Sequence, residues 1–398
     1  MAPSARYLAY DHSVPAAAKQ RERDSVPAAA DALASLESQA HARAVLGPVL
    51  SGAARPSHAY LFHGPPGTGK RRVARAFAAA LLAEDAEDPD AVSARVMRGS
   101  HPDLTWVTPS GATEMLVSDI DEPVVAAATR TPFEAARRVF VIESAHMLND
   151  QAANRMLKTL EEPAEFVHLL LLSNRPEELL PTIASRCQHV RFDPLPAARI
   201  AENLSASDPD AVLAASRLAL GDAGRAALLT GARGTALRES AEAFVRASLV
   251  GDTRERPWLR LLELARAAGT QAGEQAAEQT EGELELIPLK ERKRFEREAG
   301  EARRRIERRA RIAALDLTLG LAELWVRDLL CVSEGAPELI YAADRRAQLE
   351  HEAGGFSRPA RLRDAVQLVA DTRLRLTLNV SEELALEALS YRLQELMQ

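Results

Sequence analysis

Three short runs hold the residue types that phosphate chemistry needs. The first is Gly64-Pro65-Pro66-Gly67-Thr68-Gly69-Lys70, followed by Arg71. Glycines at this spacing let the backbone curl until its N–H groups point at phosphate oxygens. A following helix adds the positive end of its dipole, and the lysine reaches the β- and γ-phosphates. Gly64, Gly67, Thr68, Gly69 and Lys70 therefore read as the cradle of a P-loop. The next position departs from the pattern. A Ser or Thr hydroxyl there would ligate Mg²⁺, whereas the Arg71 guanidinium has no lone pair for a metal. Arg71 is either a surface arginine on the first helical turn or a fixed charge that blocks, or replaces, the cation. The second run is Glu143-Ser144, where a working ATPase strand ends in Asp-Glu. That Asp anchors Mg²⁺ and that Glu polarises the attacking water. Glu143 can still sit near a metal, but Ser144 is no general base at neutral pH. With the hydroxyl and the base both absent, the expectation is a site that does not hydrolyse. The third run is Ser185-Arg186-Cys187. A lone arginine at a helix end is ordinarily solvated or salt-bridged; presented to a neighbour's γ-phosphate, it can be worth about 10³–10⁵ in rate.

These runs need a sheet to position them. Ala59–His63, Leu104–Val107, Val139–Ile142, Val167–Leu172 and Gln188–Phe192 are short apolar runs that read as strands of a buried parallel sheet. Their C-terminal ends carry the polar groups, which is where open α/β sheets bind ligands. Apolar spacing predicts helices after the P-loop (Val73, Phe77, Leu81) and from Asn149 or Asp150 to Glu161-Glu162-Pro163, with further helical material over Ile120–Ala128 and Phe133–Arg137. His101-Pro102-Asp103 has no Cys or further His nearby and reads as a strand entrance rather than a metal site.

Composition bounds the rest. At 398 residues the chain is long enough for two or three domains, and its net charge of −7 requires any nucleic-acid contact to come from a local patch. Cys187 and Cys331 supply neither a disulfide framework nor a zinc quartet. No signal peptide is visible, and no apolar run approaches the roughly 18 residues of a membrane span, so the expected setting is cytoplasmic, with no membrane partner. Residues 1–30 read as a poorly ordered tail, 31–196 as the P-loop domain, 197–245 as a small helical lid, and 246–398 as a helical C-terminal domain. Gly269–Gly282 is rich in Gln, Glu and Gly, so a mobile polar linker is expected near 269–283. Lys290–Arg311 carries eleven basic residues against five acids, as either a solvated helix laced with i,i+4 pairs or a phosphate-contacting surface. Apolar stripes after Ala314 and over Leu384–Leu396 suit core packing or partner helices.

Taken together, these residues resemble the AAA+ clamp-loader family of bacterial DNA polymerase III, and within it the delta-prime type. The resemblance is carried by His58–Phe62, the P-loop, His101–Leu104, Asn154, Leu157-Lys158 through Pro163, Ser173–Pro176, Leu180–Ile183 and Ser185–Cys187. It extends weakly to Gly221–Arg225, and to Asn379-Val380 with Leu384–Glu387. It implies an α/β AAA+ module followed by a small helical lid and an all-α C-terminal collar. It also implies that Arg186 serves the ATP site of an adjacent subunit, that Asn174 falls at sensor 1, and that Arg225 falls in the sensor-2 region near any bound phosphate. The implied partners are the gamma/tau motor and delta subunits, the sliding clamp indirectly, and primed DNA through the assembled complex. Many members carry a four-Cys zinc module after the P-loop helix; Ala83–Ser100 contains no Cys, so no zinc is expected. ATP bound without hydrolysis suits the retained cradle, and whether nucleotide binds at all stays open. The alternatives are an ATP-hydrolysing motor of the gamma/tau type and an unrelated P-loop kinase. The missing hydroxyl after Lys70 and the long helical C-terminal half speak against the kinase.

Overall fold

A computed structural model describes residues 36–111, 114–204, 208–284, 289–355, 359–376 and 380–397. The expected tail over 1–30 and Asn379 lie outside these residues. Two compact units divide the chain, Met1–Leu195 and Pro196–Gln398.

The first unit is built on β1 (Ala59–His63), β2 (Leu104–Val107), β3 (Arg138–Ile142), β4 (Val167–Ser173) and β5 (Gln188–Arg191), in the order β2-β3-β4-β1-β5. Every pairing is parallel. Successive residues point to opposite faces, and both faces are covered, which is why the strands are apolar almost throughout. Tyr60, Phe62, Val139, Val141, Leu170 and Leu172 join Phe77 in one core. Leu61, Phe140, Ile142, Leu169 and Leu171 join Met156 in the other. The flanking helices are α1 (Ala40–Leu50), α2 (Lys70–Ala83), α3 (Pro89–Met97), α4 (Val117–Ile120), α5 (Asp150–Glu161) and the short α6 (Pro181–Ala184). Asn149 caps α5, its Oδ1 accepting from Ala152 N at 2.9 Å. The expected helical material over Ile120–Ala128 is present, though Asp121–Ala126 widens to a π-helix around Pro123, which has no N–H to donate.

Phe133–Arg137 is not helical. It is a loop whose N–H groups are claimed by the fully buried Asp103: Phe133 N donates at 2.6 Å, and Glu134 N and Ala135 N each at 3.0 Å. A carboxylate thirty residues upstream thus outcompetes the local helical bonds, and Asp103 is a structural residue.

The second unit is all helix: α7 (Ala197–Glu202), α8 (Pro209–Leu218), α9 (Ala223–Leu229), α10 (Ala232–Val250), α11 (Trp258–Leu284), α12 (Leu289–Ser333), α13 (Arg346–Ala353), α14 (Pro359–Leu376) and α15 (Glu382–Met397). The expected lid–collar boundary at 245/246 falls inside α10. Leu229, Leu237 and Phe244 share one core with Trp258, Leu319, Trp325, Leu362 and Leu389. The segment expected as a polar linker near 269–283 is likewise helical, forming most of α11. Its glycines permit close approach to α12. A Cβ on Gly269 would lie 2.8 Å from the Glu307 carbonyl oxygen, and one on Gly273 would meet the Glu307 side chain.

Gly269→Ala should therefore lower stability by about 1–3 kcal/mol through overpacking against backbone. Gly300→Ala, where an added Cβ meets nothing within 4 Å, should raise it by about 1 kcal/mol through helix propensity. Urea denaturation midpoints separate the two. A second expectation concerns pH. His168 in β4 is buried against His58 and donates from Nδ1 to Ser57 O at 2.9 Å, leaving Nε2 buried without a partner. Burial lowers its pKa from 6.5 to about 4. Between those values the unfolded chain binds the extra proton, so stability falls as pH falls through that window. The loss should approach about 3 kcal/mol by the lower end, and His168→Gln should reduce it. His63, His101 and His146, also lowered chiefly by burial, add in the same direction. Denaturation midpoints measured across this range give the slope.

Candidate phosphate site

Parallel pairing brings the C-terminal ends of the strands to one edge. His63 lies beside Ser173 on one side and Arg191 on the other, so the chain leaves β1 into the loop between two strand ends. The glycines of that loop are fixed by geometry. Gly64 has φ +141°, and any Cβ on it would collide with the Phe192 carbonyl oxygen. Gly67 and Gly69 have φ +70° and +90°, the left-handed region that favours glycine, and Gly69 is the N-cap of α2. Thr68 is buried and donates from Oγ1 to Pro65 O at 3.0 Å.

Two side chains hold the loop from within. The buried Lys70 curls back across it, Nζ donating to Gly64 O at 2.7 Å and to Pro65 O at 2.5 Å. Gln39, just before α1, is 2% exposed; it donates from Nε2 to Thr68 O at 3.3 Å and to Asp193 O at 2.9 Å, and accepts from Asp193 N at 2.8 Å. It ties the loop to the chain leaving β5. A single glutamine before a helix carries no signal that sequence reasoning could have used.

Arg71 and Glu143, separate departures in the sequence, meet here: Arg71 Nε lies 3.2 Å from Glu143 Oε2. The same oxygen accepts from Trp106 Nε1 at 3.0 Å. The guanidinium carbons of Arg71 and Arg75 stand 5.7 Å and 4.9 Å from the Trp106 ring centroid, within cation–π range. The acid that would anchor a metal already carries an internal cation. These residues do not fit Mg²⁺, although the glycine loop and helix end retain the form of a phosphate cradle.

Ser144 adopts φ +55° and caps a 3₁₀ turn, Ala145–Met147. This brings His146 Nδ1 within 3.2 Å of Ser173 Oγ, which also accepts from Arg175 N at 3.1 Å. Ser173 and Asn174 stood together in the sequence as the polar end of β4, whereas His146 had no role there; Asn174 is exposed just beyond the pair. Burial, then the neighbouring Arg175, holds the His146 pKa below its ordinary value.

Arg186 lies elsewhere. It precedes β5, whose Gln188 pairs with Tyr60 near the start of β1, whereas the P-loop follows the end of β1. At about 3.3 Å per residue the two lie roughly 15 Å apart along the strand direction, at opposite ends of neighbouring strands. The guanidinium pairs with Glu161 at 2.6 Å and donates to Thr182 O at 2.9 Å, with the side chain 36% exposed. Its neighbour Cys187 points inward, and burial pushes that thiol up to about 12. Arg225 belongs to the second unit. There Asp222, Asp316, Glu323 and Arg373 surround it electrostatically, burial lowers its pKa, and its Nε and Nη2 are buried without hydrogen-bond partners.

If the loop is held by its own lysine, Lys70→Met should destabilise the nucleotide-free protein by about 1.5–3 kcal/mol, the worth of hydrogen bonds to a charged group. A lysine that merely waits for phosphate would give no change in the urea midpoint.

Residues 50–196 match the family described as DNA polymerase III, delta subunit. The chain is 39% identical over 170 residues to the DNA polymerase III subunit delta' of Pseudomonas aeruginosa, a match covering 40% of this chain and 51% of that protein. Against subunit delta' of Bacillus subtilis it is 34% identical over 160 residues, covering 39% and 47%. Against subunit tau of Bacillus subtilis it is 39% identical over 145 residues, covering 34% and 24%. The chain spans about half the length of the delta' relatives it matches. Over the matched residues the chain is homologous to members of the bacterial DNA polymerase III delta-prime and clamp-loader family.

Proposed function

We propose that this chain is a delta-prime-type subunit of a DNA polymerase III clamp loader, one that does not hydrolyse ATP and lends Arg186 to a neighbour's ATP site. Its partners on this reading are the gamma/tau motor and delta subunits. The sliding clamp is reached indirectly, and primed DNA through the assembled complex. The observation that carries the reading is the split between the sheet edges. Arg186 stands on the edge away from its own P-loop, so one chain cannot bring the two together, while a neighbour docked at that edge can. The Arg71–Glu143 pair supports the rest, because it removes the metal anchor and leaves no general base beside it.

Nucleotide binding without turnover fits the cradle. Gly67, Thr68, Gly69 and Lys70 would hold the phosphates, with Lys70 Nζ exchanging its carbonyl partners for phosphate oxygens and Arg71 adding charge. A bound nucleotide would supply anionic oxygens there and no reaction. On this reading Asn174, exposed just after β4, would sense them. The motor reading requires a metal-holding pair that this chain has replaced with an ion pair.

Reconstitution with gamma/tau and delta tests the proposal. Arg186→Ala should lower the DNA-stimulated ATPase of the assembled loader at least several-fold, against the ~10³–10⁵ of a site wholly dependent on its arginine. Assembly by size-exclusion chromatography should be unchanged. Unaltered ATPase would remove Arg186 from the mechanism, and steady Mg-ATP turnover by the isolated chain would make it a motor.

A further inference from the structure

The N-terminal half of α12 presents a basic line that the nucleotide site does not use. Lys293, Arg297, Arg304 and Arg308 are exposed, while Phe295, Ala299, Ala302 and Ile306 on the opposite side of the helix are half-buried. At about 100° per residue the four basic residues fall within roughly 60° of one line, and at about 1.5 Å rise that line is about 22 Å long. Lys293, Arg297 and Arg304 have no carboxylate partner among the described residues. Of the nearby acids, Glu307 pairs with Arg303 at 2.8 Å and Glu301 lies 3.9 Å from Arg305, while Glu296 stands exposed beside Arg297.

We infer that this face binds the phosphate backbone of duplex nucleic acid, without regard to sequence. The whole chain carries −7, so attraction to a polyanion must be local, and here four cations are lined up, of which Lys293, Arg297 and Arg304 have no carboxylate partner among the described residues. Among the described residues the face offers no apolar side chain to anchor a protein partner, and no aromatic on which single-stranded bases could stack. The four cations form two pairs, Lys293 with Arg297 and Arg304 with Arg308. Their centres lie about 16 Å apart, enough to bridge the ~12 Å major groove from one phosphate ridge to the other. Gly300 lies between the pairs with open space beyond its Cα, so the helix backbone can come close to that groove. The inference does not rest on the clamp-loader reading or on Arg186.

Fluorescence anisotropy of the full chain, without nucleotide, tests it on labelled duplexes of about 25 base pairs in two unrelated sequences. Binding should be equal for both, and log K should fall against log salt with a slope of about −3.6, four contacts at −0.9 each. Combining Lys293→Gln, Arg297→Gln and Arg304→Gln should reduce that slope by about 2.7 and weaken binding on the order of 10²-fold near 0.1 M salt. Combining Arg98→Gln, Arg130→Gln and Arg199→Gln, the same change in net charge at exposed sites elsewhere, should leave both nearly unaltered. Arg297→Lys with Arg304→Lys should keep the slope, since a point charge suffices. Equal losses in the two glutamine triples, or no salt-sensitive binding by the native chain, would overturn the inference. So would a variant that keeps its DNA affinity and loses an acidic protein partner instead.

Discussion

The ion pair between Arg71 and Glu143 sets what the P-loop edge of this protein can do. The residues at the two positions where a metal-binding P-loop protein holds its cation face each other directly as an ion pair, and the Trp106 indole donates to the same carboxylate oxygen. Their side chains are 31% and 23% exposed, so either charge left alone would be only partly solvated and costly. The two departures are thus one change. A guanidinium after Lys70 needs the acid at the end of β3, and that acid then has its charge matched by a fixed cation and its Oε2 shared between Arg71 and Trp106. Lys70 repeats the logic inside the loop, where two backbone carbonyls take the place of phosphate oxygens. The loop keeps its curl through Gly64, Gly69 and Gln39, and no ligand is needed to hold it.

The parallel sheet supplies the second constraint. Because every strand runs the same way, the strand ends divide into two edges with different contents. One edge carries the glycine loop, Glu143 and the Ser173–His146 pair; the other carries Arg186 and Glu161. No side-chain rotation spans the length of β1. A site that needs both a phosphate cradle and this arginine has to be assembled from two molecules. Glu161 orients the arginine, and as both groups are well exposed the pair is a weak one.

What the sequence disclosed follows the range of the interactions involved. Strands with both faces covered are apolar runs, and glycines with positive φ have few substitutes, so the sheet and the loop were legible from local text. Partners distant in sequence were not. Phe133–Arg137 has helical spacing, yet Asp103 takes its N–H groups. Arg71 and Glu143 were visible as two anomalies but not as a pair. Gln39 offered nothing to notice, although it clamps Thr68 and Asp193. Around Gly269, composition suggested a connection, because glycine and glutamate are common where chains are unpacked. The same residues also suit a helix pressed against another helix, where a side chain would obstruct the approach. Only the position of Glu307 decides between the two.

That last case bears on how α12 is built. Its C-terminal half is held by burial: Ala314, Leu315, Leu319, Ala322, Trp325 and Leu329 all lie in the core of the second unit. Its N-terminal half has little such burial and relies on helix propensity, i,i+4 pairs and the Gly/Ala surface of α11. Hydrogen bonding runs through both halves of one helix, Leu289–Ser333. The core therefore sets the rotation about the helix axis for the charged half as well. Side chains that would otherwise be scattered solvated cations are presented in one direction. An Arg-rich composition alone gives charge without orientation; a buried helix continued outward gives both.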